Sequence, residues 1–198
     1  MFTGIIEKVG TIQKVSQMDG GKELTIQAPF ANEVHVDESI AVNGVCLTVV
    51  SFDEESFHVQ AVDETLRKTN LGLLQEGDPV NLERSLTLDK AVEGHMVQGH
   101  VDTTGTIKKI QKEGVDLLIT VQFPEEFTDY IVGRGSISID GISLTIAREN
   151  GNECTVAIIP YTWEHTNLHS KQEGDPVNLE FDIFGKYIVK YLQKHQGK

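Results

Sequence analysis

The chain has 198 residues, with 17 Lys plus Arg against 30 Asp plus Glu and a formal net charge of −13. That sign argues against nucleic acid or an anionic membrane as a partner, because phosphate binding needs clustered cations. The 39% hydrophobic content supports an ordinary buried core, and the length fits one medium domain or two of roughly 100 residues each rather than a disordered chain.

In chain order, the opening Met1-Phe-Thr-Gly-Ile-Ile-Glu-Lys lacks a basic segment followed by a long apolar run. No later stretch reaches the roughly 18 apolar residues of a membrane span. Strand-like runs fall at 23–27, 57–62, 80–82, 117–123, 154–159 and 177–181. Asn43-Gly44 and Asp140-Gly141 each sit between alternating apolar residues (Ile40, Val42, Val45, Leu47; Ile137, Ile139, Ile142, Leu144), a strong local hairpin signal. Pro124 followed by Glu125 and Glu126 opens a short helical turn. From Phe184 onward Tyr187, Ile188, Tyr191 and Leu192 recur at helical spacing, which predicts an amphipathic C-terminal helix. The pattern leaves open whether that helix packs on its own domain or assembles with copies of itself. Cys46 and Cys154 are the only cysteines, too few for a disulfide framework and without metal or redox spacing. Reduced thiols and a cytoplasmic location are expected.

An internal repeat organises the chain. The segment from Met1 to Ile12 matches the one from Met96 to Ile107, 95 residues on, including Gly4 with Gly99. Ser39 to Thr48 matches Ser136 to Thr145, now 97 residues on. Gln75-Glu-Gly-Asp-Pro-Val-Asn-Leu-Glu83 then recurs letter for letter as Gln172 to Glu180. A period this long indicates two similar domains rather than a solenoid, expected at 1–90 and 91–185 with a separate helix over 186–198. Many short, evenly spaced strands favour barrels or sandwiches.

A duplicated scaffold is suited to two similar ligands, and the halves differ where reactive groups could sit. Ile5 is matched by His100, Cys46 by Ser143, Asn43 by Asp140 and Ser85 by Asp182. An imidazole at His100 transfers protons near neutral pH, hydroxyls at Ser143 and Thr145 donate or accept hydrogen bonds, and Asp182 orients or ionises a neighbour. The thiol of Cys46 is a candidate nucleophile, set against plain packing of a small residue in a strand. His95 and His100 lack a third ligand and the H-E-x-x-H pattern, so no metal site is assigned. Gly133-Arg-Gly135 lacks the third glycine of a dinucleotide fingerprint.

Together, the Met1 to Glu7 opening, the Ala41 to Thr48 block, the Gly94-His-Met-Val-Gln-Gly-His-Val-Asp102 block and Ile139-Asp-Gly-Ile-Ser-Leu-Thr145 resemble the riboflavin synthase family, alpha-chain type, over essentially the whole chain. The resemblance implies an all-β fold with a C-terminal helix: two tandem, similar six-stranded Greek-key barrels and a helix that joins three chains. It implies the dismutation of two 6,7-dimethyl-8-ribityllumazine molecules to riboflavin and 5-amino-6-(ribitylamino)uracil with no metal or organic cofactor. The site would lie between the N-terminal barrel of one chain and the C-terminal barrel of its neighbour, and a lumazine synthase shell is a candidate partner. Holding two reactants in register is worth up to roughly 7–11 kcal/mol in ideal cases.

Carried over by position, the first-barrel pocket would be lined by Gly4, Ile5, Ile6, Cys46, Leu47, Thr48 and the run Gln60, Ala61, Val62, Asp63, Glu64 and Thr65. The second would use Gly99, His100, Val101, Arg134, Ser143, Leu144, Thr145 and the run Ala157, Ile158, Ile159, Pro160, Tyr161 and Thr162. His100 is expected to transfer or organise the proton when a lumazine methyl group ionises, and Ser143 and Thr145 to bond the ring. Asp182 would serve the ribityl chain or the interface, Cys46 and Ser39 would complete the first site, and Phe2 would pack beside it. Arg134 stands where many relatives are expected to carry lysine, which exchanges a point charge for a planar fork. Trp163 reads as a packed aromatic or a ligand stack. The rival from another class is a non-catalytic, fluorescent lumazine- or flavin-binding protein on the same barrels; in such a protein one half should lose the groups that Cys46, His100, Ser143, Thr145 and Asp182 supply here.

Overall fold

At Asn43-Gly44 the backbone takes φ of 46° and 76°, and at Asp140-Gly141 46° and 83°. Two successive positive φ values define the turn whose twist matches a right-handed hairpin, and Asn, Asp and Gly tolerate that region. These hairpins join β3 (Ser39–Val42) to β4 (Val45–Phe52) and β9 (Ser136–Ile139) to β10 (Ile142–Asn150). The computed structural model, which describes residues 1–195, builds a closed antiparallel barrel around each.

The first barrel adds β1 (Lys8–Met18), β2 (Gly21–Gln27), β5 (Ser56–Val62) and β6 (Pro79–Arg84), in the order β1-β2-β5-β4-β3-β6. The second adds β7 (Thr103–Glu113), β8 (Asp116–Gln122), β11 (Glu153–Ile158) and β12 (Pro176–Phe181), in the order β10-β11-β8-β7-β12-β9. Both orders contain the Greek-key crossover. Register shifts recur at matching places, Ile12/Lys14 with Ile107/Lys109 and Val49/Ser51 with Ile146/Arg148. Such bulges bend and twist a strand, which helps a small barrel close.

Each barrel has its own core. Ile12, Leu24, Ile40, Phe57 and Leu82 are fully buried in the first, and Val121, Ile137, Val177 and Leu179 in the second. Short helices α1 (Asp63–Lys68) and α2 (Pro160–His165) follow β5 and β11 at matching positions, a feature the strand pattern does not anticipate. Acids Asp63 and Glu64 open α1 and Pro160 opens α2, as helix starts prefer. The turn after Pro124 is a 3-10 turn over Glu125–Tyr130. Trp163 packs against the second core.

Helix α3 (Ile183–His195) ends the described chain; Gln196, Gly197 and Lys198 of the expected 186–198 helix lie outside it. Its Lys186 ammonium meets Asp102 Oδ2 at 2.6 Å, so one face docks on the second barrel. Phe184, Tyr187, Ile188, Tyr191 and Leu192 remain exposed on the helix. Among the described residues no helix is long and apolar enough to cross a membrane.

The barrels meet through a polar seam. Asp140 is fully buried, and its Oδ1 accepts the Asn178 N–H at 2.7 Å and Asn70 Nδ2 at 2.8 Å, while Oδ2 accepts Asn167 Nδ2 at 3.1 Å and faces Lys171 Nζ at 3.5 Å. Asn81 Nδ2 donates across the seam to the Asp140 and Asn167 oxygens, both at 2.9 Å.

Candidate active site

The pleat of β4 turns Val45, Leu47 and Val49 into the barrel and Cys46 and Thr48 outward; β10 buries Ile142 and Ile146 and turns Ser143 and Thr145 outward. The barrel wall splits at these places. Pairing of β4 with β5 starts only at Val49 opposite Val59; β4 then follows β3 back to Val45, while β5 follows β2 on to Val62. In the second barrel β10 and β11 likewise pair only from Ile146 opposite Val156.

Backbone groups alternate sides along a strand. The Cys46 N–H leaves β3 and donates to Gly99 O at 2.9 Å, so the Thr48 N–H two residues on points into the same gap. Across it, the Asp63 N–H turns back to Gly20 O, which leaves Gln60 and Val62 to aim backbone groups at the gap. A slot edged by donors and acceptors from two strands suits a planar heterocycle with alternating carbonyl and N–H groups.

The structure redistributes the expected pocket residues between the barrels. Gly4 O accepts the Ser143 N–H at 2.7 Å, and a Cβ on Gly4, whose φ is +75°, would lie 2.6 Å from the Ser143 Cβ. Ile6 packs on the second core. Conversely, a Cβ on Gly99 would lie 2.6 Å from the Cys46 Cβ, and Val101 packs on the first core. Gly4, Ile5 and Ile6 therefore border the second-barrel slot, and Gly99, His100 and Val101 the first, the reverse of the expectation. The two segments cross as straps. Phe2 and Val97 bridge them, with the Phe2 N–H to Val97 O at 2.7 Å, and both side chains are buried with Ala41 between the barrels.

His100 is therefore exposed on the strap one residue past the Gly99 that meets Cys46, not on the strap that meets Ser143. The imidazole at Ser143 belongs to His95, whose Nδ1 lies 2.7 Å from Ser143 Oγ. Burial holds this imidazole below the ordinary histidine value, with the Asp182 charge pulling the other way. Asp182 caps α3, its Oδ1 accepting the Phe184 N–H at 2.9 Å. Sequence reasoning weighed His95 only as a metal ligand; Gly94 beside it was the available signal, because a Cβ there would meet Thr3 O at 2.0 Å and the Ser143 Cβ at 2.8 Å.

Ser39 faces Thr48 across the β3–β4 pair. Arg134 occupies an exposed turn at φ 68°, its N–H donating to Ile146 O at 2.9 Å just past Thr145. The runs from Gln60 to Thr65 and from Ala157 to Thr162 each divide at the strand-to-helix junction, so Asp63, Glu64 and Thr65, and Pro160, Tyr161 and Thr162, lie in α1 and α2. Cys46 is half-buried and free; Cys154 is buried in the second core, where burial pushes its thiol up to about 12.

Comparison with known proteins matches this arrangement. The family model for the lumazine binding domain fits residues 3–85 and again 98–182, which defines the class: a duplicated lumazine-binding barrel protein. The riboflavin synthase of Actinobacillus pleuropneumoniae is 44% identical over 195 residues, covering 98% of this chain and 91% of that one. That of Schizosaccharomyces pombe is 41% identical over 198 residues, covering 98% and 95%. The crystal structure of LumP complexed with riboflavin superposes with a TM-score of 0.85 at 25% identity, covering 91% of this chain and 99% of that one. The chain belongs to the riboflavin synthase family.

Proposed function

We propose that this enzyme dismutates 6,7-dimethyl-8-ribityllumazine, each barrel slot holding one molecule, and that the reaction takes place where the first-barrel slot of one chain faces the second-barrel slot of another. The observation that carries this reading is the repetition of the same wall opening in both barrels with different reactive groups beside it: Cys46 and His100 at one, Ser143, His95 and Asp182 at the other. The atoms of two substrate molecules equal those of riboflavin plus 5-amino-6-(ribitylamino)uracil, so the four-carbon transfer needs no external oxidant or reductant.

The backbone edges of each slot bind the pyrimidine ring, and the α1 and α2 starts close its far side. Because burial favours the neutral form of His95, it is able to accept a proton, directly or through Ser143 Oγ, as a lumazine methyl group ionises. Thr145 and Arg134 bond the ring edge and polar chain, while Cys46 and His100 serve the partner substrate. The exposed Phe184, Tyr187, Ile188, Tyr191 and Leu192 stripe is an unusually large apolar surface for a free helix; copies of α3 cover it in a homotrimer. The enzyme works in the cytoplasm, and a lumazine synthase shell is a further candidate partner.

The test is purified protein with the lumazine and no added cofactor, following substrate and riboflavin together. One riboflavin per two substrates consumed is expected. Tight binding without turnover would overturn the reading and favour a carrier of the fluorescent type. Sedimentation with ligand present checks the trimer.

A further inference from the structure

The letter-for-letter repeat ends in Glu83 and Glu180, two strand residues that are only 1% and 3% exposed. A buried carboxylate is costly unless its oxygens are fully used. Glu180 Oε1 accepts the Gln98 N–H at 2.6 Å and Oε2 accepts the Gly99 and His100 N–H groups, both at 2.9 Å. Glu83 Oε1 accepts the Thr3 N–H and Oγ1, both at 2.7 Å, and Oε2 accepts the Gly4 N–H at 2.9 Å. Each carboxylate thus gathers the consecutive N–H groups of the strap attached to its own barrel, at the stretch where that strap leaves to dock on the other barrel.

We propose that Glu180 and Glu83 are positioning residues that hold the crossed straps against the substrate slots: Glu180 sets Gly99 and His100 beside Cys46, and Glu83 sets Gly4 beside Ser143. This deepens the proposed function and rests on the two slots being the substrate sites. The chemistry calls for a carboxylate. Gly4 and Gly99 sit at φ of 75° and 79°, so the N–H groups around them converge instead of alternating along a ladder, and converging N–H groups form an anion-binding concavity. Glutamine has the same length but turns an NH2 toward one of the N–H groups, donor against donor. Aspartate is one carbon too short to span the same gap. The Glu180 clamp is continuous with α3: Asp102, next on the strap after Val101, accepts the Phe181 N–H at 2.9 Å and pairs with Lys186. The first-barrel counterpart of Asp102 is Glu7, which Arg84 and Lys90 hold instead.

Cys46 gives a reporter for one slot alone, because it is the accessible thiol and Cys154 is buried with its ionisation suppressed. Full-length wild type, Glu180→Gln and Glu83→Gln are titrated with riboflavin, and protection of Cys46 from alkylation is followed by mass spectrometry beside kcat and KM. Glu180→Gln should raise the riboflavin needed for half-protection about tenfold or more and lower kcat/KM in step, the size expected when a buried donor loses its acceptor. Glu83→Gln should lower kcat/KM comparably while Cys46 protection stays within about twofold of wild type, because its strap serves the other slot. Equal shifts in both variants, or none in Glu180→Gln, would overturn the proposal. If Glu180→Gln does not fold, Glu83→Gln and Thr3→Val, which removes the Oγ1 donor to Glu83 together with the long acceptor contact to the Ile5 N–H, still test it: lost turnover with Cys46 protection intact supports the clamp, and unchanged turnover refutes it. Wild type that neither forms riboflavin nor protects Cys46 would instead sink the assignment of the slots themselves.

Discussion

Asp140→Asn isolates the charge at the barrel seam, because asparagine keeps the side-chain shape and tolerates the φ of 46° that this position requires. In its better orientation the amide oxygen still accepts from Asn178 and Asn70, but its NH2 then faces Asn167 Nδ2 and the Lys171 ammonium, whose side chain is only 16% exposed. Leaving a buried donor unsatisfied costs about 1–3 kcal/mol, and breaking a buried ion pair about 3–5 kcal/mol. We expect a total loss of about 3–5 kcal/mol, equal to a fall in Tm of roughly 6–20 °C for a chain of this size. The first half of the molecule supplies the control, since Asn43 stands where Asp140 does and Leu74 where Lys171 does. Asp140→Asn with Lys171→Leu should therefore recover at least half of the loss. Thermal and urea melts of wild type, both single variants and the double variant close the cycle. A Tm for Asp140→Asn within about 2 °C of wild type, or a double variant no better than the sum of the singles, would refute the reasoning.

The remaining predictions concern the slots and the buried groups. The acid limb of kcat/KM should follow His95 and lie below the ordinary 6.5; Asp182→Asn, which removes the opposing charge, should move it lower still, and an upward shift in the pH profile would contradict the pairing. Gly99→Ala places a Cβ against Cys46 at φ +79° and should weaken riboflavin binding at the first slot at least about tenfold, read by Cys46 protection. Native protein at neutral pH should alkylate at one cysteine per chain and denatured protein at both, since Cys46 is half-buried while Cys154 is buried and held near 12; intact mass counts them. Burial raises the Glu180 carboxyl above its ordinary 4.5, so the folded state keeps a proton that the unfolded chain has lost. That contribution is fully present below 4.5 and is lost as pH rises through the folded value. Glu180→Gln should flatten the fall of stability with pH just above 4.5, and a steeper fall in urea melts would reverse the sign of the argument.

Much of this molecule was legible in one dimension. The 97-residue offset, the two turn dipeptides and the alternating runs define two equivalent all-β domains, because hairpin turns and the pleat depend on neighbours in sequence; that each closes into a barrel is seen in the strand pairing. They also mark Cys46, Thr48, Ser143 and Thr145 as outward-facing residues on β4 and β10. The helical spacing after Phe184 likewise announces α3 from local periodicity alone. What local pattern left undetermined was where the straps go. Gly4 and Gly99 occupy equivalent places in the repeat, and docking each strap on its own barrel or on the other satisfies the same alternation and the same backbone hydrogen bonds. Only the packed pair of barrels chooses, through Phe2 against Val97 and the carboxylates of Glu83 and Glu180. That choice sets Gly99, the residue before His100, against Cys46 and brings His95 to Ser143, contacts across 48 residues or more of chain that no periodicity encodes.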